Sequence, residues 1–115
     1  MPSFYDELTA MQLDYRKRVE HLISDQPRVY ADFNKTVGLH TLALTTLGTI
    51  EDLKMHGIQL VPGLLVHFWT DDGSDTGEDD PLIFEGIVRF DSARNRWIAE
   101  IDWDSITPAS KRQNP

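Results

Sequence analysis

Leu82-Ile83-Phe84-Glu85-Gly86-Ile87-Val88-Arg89-Phe90 is the stretch on which the fold turns. Leu82, Phe84, Gly86, Val88 and Phe90 fall on one face, and Glu85 and Arg89 share the other, so the run reads as a strand with one buried side. Asp91-Ser92-Ala93-Arg94-Asn95 follows with turn chemistry, Asn95 being able to adopt the left-handed conformation. Trp97, Ala99, Ile101 and Trp103 then alternate with Ile98, Glu100 and Asp102 as the next strand. Upstream, Pro62-Gly63 suits the two central positions of a type II turn, whose second residue needs a positive φ. Leu64 to Trp69 leaves that turn as a strand, with His67 on the face of Leu65 and Trp69. Phe68 and Trp69 are adjacent, so one of the two must point away from the interior.

Farther out the pattern is more varied. Val29, Ala31 and Phe33 alternate with Tyr30, Asp32 and Asn34, and Leu42 and Leu44 with Thr41, Ala43 and Thr45. The two runs predict a hairpin turning near Thr36-Val37-Gly38. Thr49 to Asp52 resembles a helix start and Gly57 stands where a C-terminal glycine belongs, which predicts a short helix over 50–56. Phe4, Leu8, Met11, Tyr15, Val19 and Leu22 recur at helical spacing, predicting a helix over 1–26 that ends at Asp25-Gln26-Pro27. From Ser3 to Ser24 that helix would be about 33 Å long. After Ile106 only Ala109 offers an apolar anchor, so 107–115 is expected to fray.

Pro62-Gly63-Leu64-Leu65-Val66, Glu85-Gly86-Ile87-Val88 and Trp97-Ile98-Ala99-Glu100-Ile101 together resemble the three-strand meander of SH3-like barrels, over residues 61–106. The glycine of the second strand permits a sharp bend there. The expected fold is therefore a single α+β domain. A long N-terminal amphipathic helix would precede a small five-stranded antiparallel SH3-like barrel or strongly bent sheet, over 28–106, with a short inserted helix.

Composition narrows the chemistry. The chain has 115 residues, 40% hydrophobic and 26% charged, and no cysteine, which excludes thiolate catalysis, disulfides and cysteine zinc sites. Neither a signal peptide nor an apolar run long enough for a membrane span is visible, so a cytoplasmic protein with no membrane association is expected. The net charge of −8 is local: Asp71, Asp72, Asp75, Glu78, Asp79 and Asp80 supply six of 19 acidic residues, leaving 13 against 11 basic elsewhere. A near-neutral body without clustered Lys and Arg makes nucleic acid an unsuitable partner.

The acidic loop resembles a calcium loop only superficially. Counting from Asp72 puts Gly77 sixth, as required, but Ile83 twelfth, where a bidentate Glu belongs. His21, His40, His56 and His67 show no ligand spacing, and no GxSxG or phosphate-binding glycine loop occurs. Neither a metal nor a cofactor is expected, and no catalytic constellation is found. The expectation is a non-catalytic protein–protein interaction module, an adaptor or accessory subunit. It would bind another protein or a second copy of itself through the helix stripe Phe4, Leu8, Met11 and Tyr15, or through an outer aromatic face carrying Trp69 and Trp103. The plainer account of Trp69 is that the N-terminal helix covers it. Two other readings remain: an inhibitor that offers the acidic loop to a basic site, and a divalent-ion or small-ligand binding domain.

Overall fold

The computed structural model describes residues 17–38, 40–70 and 80–112. It is α+β, with an open six-stranded mixed sheet and short helices. The strands are β1 (Val29–Tyr30), β2 (Thr41–Ala43), β3 (Leu65–Thr70), β4 (Leu82–Asp91), β5 (Arg96–Ile101) and β6 (Thr107–Pro108). Helical residues 17–23 form α1, Leu47–Met55 forms α2 and Ala109–Arg112 forms α3. The sheet order is β1-β3-β4-β5-β2, with β6 paired to β4.

The central meander is the one that alternation and turn residues predict. Gly63 takes φ 88° and Asn95 φ 53°, the left-handed values their turns demand. β4 pairs with β3 over its first half and with β5 over its second, so it is the strand that both neighbours share. Gly86 lies in the overlap. A Cβ there would sit 2.8 Å from the Glu100 carbonyl oxygen and 3.0 Å from Ile101 Cδ1. Backbone cannot give way as a side-chain tip can, so Gly86→Ala is expected to lower stability by about 1–3 kcal/mol. Chemical denaturation checks this; a cost near zero would mean that β5 shifts freely.

The expected antiparallel barrel is corrected by how the edges pair. β1 does not form a hairpin with β2. It adds to β3 in parallel, with Val29 beside Phe68 and Tyr30 beside Trp69, whereas β2 pairs with β5 at the opposite edge. A 3₁₀ turn at Phe33–Lys35 carries the chain between the edges. Phe33 packs on Phe84 and Trp103, with ring centroids 5.2 and 5.8 Å apart. The sheet therefore bends around one core without closing. That core comprises Val29, Ala31, Leu42, Leu44, Val66, Phe68, Phe84, Val88, Ala99 and Ile101.

The helix expected over 1–26 is likewise revised. Residues 1–16, with Phe4, Leu8, Met11 and Tyr15, lie outside the described residues, and of α1 only residues 17–23 are described, which does not support the long helix. α1 lies on the other face of the sheet, where Val19 and Ile23 bury with Trp69, Ile83 and Ala109. Residues 107–112 are held in place rather than frayed. Ala109 is 1% exposed, its N–H donates to the Pro81 carbonyl, and β6 pairs with the start of β4. One small side chain suffices as an anchor because it fits the space beside α1.

α2 starts three residues earlier than the sequence predicts and ends at Met55, with His56 as its cap and Gly57 following at φ 65°. Its polar side chains, rather than an apolar stripe, dock it. Thr49 Oγ1 donates to the Tyr30 carbonyl at 2.7 Å, and Asp52 Oδ2 accepts from the Tyr30 N–H at 2.8 Å. These two side chains take hydrogen bonds that a neighbouring strand would otherwise make with β1.

Candidate interaction surface

The outer face of the sheet, opposite the main core, divides into a covered half and a bare half. Along β3 the side chains on that face run Leu65, His67, Trp69, and their β4 partners are Ile87, Glu85 and Ile83. Trp69 and Ile83 are buried beneath α1 and beside α3. Leu65 and Ile87, directly opposite each other, are 48% and 38% exposed. Between this pair and the covered Trp69 and Ile83 sit His67 and Glu85, with His67 Nδ1 3.7 Å from Glu85 Oε2. Beyond Ile87, Arg89 Nε lies 3.1 Å from Glu100 Oε1, on the neighbouring strand. The result is a small apolar pair flanked along β4 by Glu85 on one side and Arg89 on the other.

The described residues expected to form a site have packing or hydrogen-bond partners within the domain. Phe68 points into the core and Trp69 away from it, as their adjacency requires, but Trp69 is only 2% exposed. It stacks edge-on against Tyr30 at 5.1 Å, and its indole N–H donates to Asp52 Oδ2 at 3.0 Å. Trp69 is therefore no bare aromatic surface: Val19 and Ile23 of α1 pack with it. Trp103 is half-buried on the fringe of the core, its ring 6.2 Å from His40 as well as against Phe33. Of the acidic loop, Asp71, Asp72, Asp75, Glu78 and Asp79 lie outside the described residues. Asp80 is described, and its carboxylate accepts from Ser110 N–H at 3.0 Å and Ser110 Oγ at 2.6 Å, capping α3.

A polar cleft borders the bare half. A cavity of about 240 Å³ is lined by Gln26, Arg28, His67, Glu85 and Ser105, among others. Serine, histidine and glutamate thus meet in one place, the residue types of an acyl-transfer triad. Their bonding is of another kind. Ser105 Oγ donates to the Asp102 carbonyl at 2.6 Å and accepts from the Glu85 N–H at 3.1 Å, which stitches the 3₁₀ turn to β4. Arg28, 3% exposed, makes a two-point contact with the Asp25 carboxylate, each arm at 3.3 Å. This pairing of a buried guanidinium with a half-exposed carboxylate positions the chain entering β1. Among the described residues, no group of three or more His, Asp or Glu could hold a metal ion, and no helix is long and apolar enough to cross a membrane.

The residues that sequence reading missed as a surface are Leu65 and Ile87. The available signal was an isoleucine flanked on its own strand face by Glu85 and Arg89. Comparison with known proteins adds no relative: the chain matches no known protein family, no curated protein and no solved structure.

Proposed function

We propose that this chain is a non-catalytic protein–protein interaction module, an accessory or adaptor subunit, and that it binds through the bare half of its outer sheet face. The observation that carries this reading is the Leu65/Ile87 pair. Two large apolar side chains stand side by side with much of their surface in solvent, next to a half of the outer face, Trp69 and Ile83, that has its own cover. An apolar cluster rimmed by charge is the composition of a contact surface. The face is rigid, since both residues belong to regular strands with paired neighbours on β3 and β4. Binding there would require little reordering of backbone.

The test is a double substitution, Leu65→Lys with Ile87→Lys. Both positions are solvent-facing, so the variant is expected to keep its folding stability within about 0.5 kcal/mol. Affinity capture from cells of the source organism, using tagged wild type and tagged variant, is expected to recover a protein with the first and lose it with the second. An untagged copy of this same chain counts as such a protein. Equal recovery by both baits, or none by either, sinks the assignment of this face.

A further inference from the structure

We infer that the occupant of the Leu65/Ile87 face is a second copy of this chain, seated with its β4 antiparallel to the first. The inference rests on the interaction-module reading above and names its partner. Its basis is the order of charges along β4. Glu85, Ile87 and Arg89 share one face. Same-face residues recur about every 6.8 Å along a strand, so an anion and a cation stand roughly equally far from Ile87 on either side.

That order is self-complementary under one arrangement only. A two-fold axis lying between two facing sheets, perpendicular to β4, reverses the strand direction in the partner. Ile87 then meets Ile87 of the second copy, Leu65 meets Leu65, and each Glu85 faces an Arg89. The parallel arrangement would set Glu85 on Glu85 and Arg89 on Arg89, and like charges oppose it. A partner of uniform sign would likewise meet a like charge at one end of the patch. Glu85 and Arg89 keep 40% and 61% of their side chains exposed, so both heads are accessible to an incoming chain. Glu100 falls opposite its own copy in this arrangement. Each is accompanied by Arg89 at 3.1 Å, so the site gathers two cations beside those anions.

Charge exchange tests the arrangement directly. Light scattering on the full chain at low salt is expected to show a mass rising with concentration from 13.2 kDa toward twice that value. Arg89→Glu alone and Glu85→Arg alone are each expected to stay monomeric, because each places like charges across the axis. Mixing the two variants in equal amounts restores both opposite-sign pairs and is expected to recover the doubled mass. A wild-type monomer at every concentration overturns the self-association while leaving the interaction-module reading to stand or fall by the capture experiment. A dimer indifferent to both substitutions overturns it equally, because self-association would then use another surface. Dimer loss in both variants without recovery on mixing rejects the antiparallel register.

Discussion

Phe68→Ala is expected to destabilise the domain by about 3–5 kcal/mol, a large part of the stability of a domain this size. Phe68 is fully buried at the centre of the main core. Its ring stacks on Phe84 across the β3–β4 pair, centroids 5.4 Å apart and planes 19° from parallel. Val29 stands beside it on β1 in parallel register, so the ring also supports the edge strand. Truncation removes the transfer energy of the ring and leaves a void lined by strands that cannot collapse independently. Urea unfolding of the variant measures the cost. A loss below about 1 kcal/mol would mean that the core repacks around the gap, contrary to the close packing argued here.

Replacing Asp52 has an effect of similar size for a different reason. The carboxylate is 2% exposed, and one of its oxygens accepts from both the Tyr30 N–H and the Trp69 indole N–H. Asp52→Leu orphans two buried donors at roughly 2 kcal/mol each, about 4 kcal/mol together. Asp52→Asn keeps an oxygen where the donors converge and is expected to lose only about 1 kcal/mol, the difference between charged and neutral acceptors. Denaturation followed by tryptophan emission separates the cases, since Trp69 is one of the donors. If Asn is as costly as Leu, the charge rather than the acceptor position holds this junction together.

These two residues also mark where sequence is legible. That Phe68 and Trp69 lie on opposite faces follows from alternation in Leu64 to Trp69 whatever the sheet's topology, but which of the two enters the core does not. The turns at Pro62-Gly63 and Asn95 were equally readable, since a positive φ restricts the residues that can occupy it. Asp52 was not readable as a buried group. An aspartate in the first turns of a helix is ordinarily a solvated charge near the positive end. Its burial depends on Trp69 and Tyr30 arriving from two other strands, which no local pattern encodes.

The pairing of β1 was hidden for a related reason. Val29, Ala31 and Phe33 alternate in the same way whether the strand joins β2 as a hairpin or β3 in parallel. Only Val29 and Tyr30 enter a ladder, and the 3₁₀ turn at Phe33–Lys35 leaves no signature distinct from a strand. The interaction surface was half visible. Glu85 and Arg89 were placed on the outer face, but the exposure of Leu65 and Ile87 depends on which part of that face Val19 and Ile23 cover, a property of packing.

The shared strand at the centre of the sheet also bears on the order in which the chain can assemble. β3, β4 and β5 are consecutive in sequence and joined at β4, so most of the ladder forms between near neighbours along the chain. β1 must travel from much farther to lie beside β3, and its two-residue ladder repays little of that loop-closure entropy. The nucleus is therefore expected within residues 65–101, with β1, α1 and the Asp52 junction locking on afterwards. The segment that covers half of the outer face would then be the last to arrive and the first to let go.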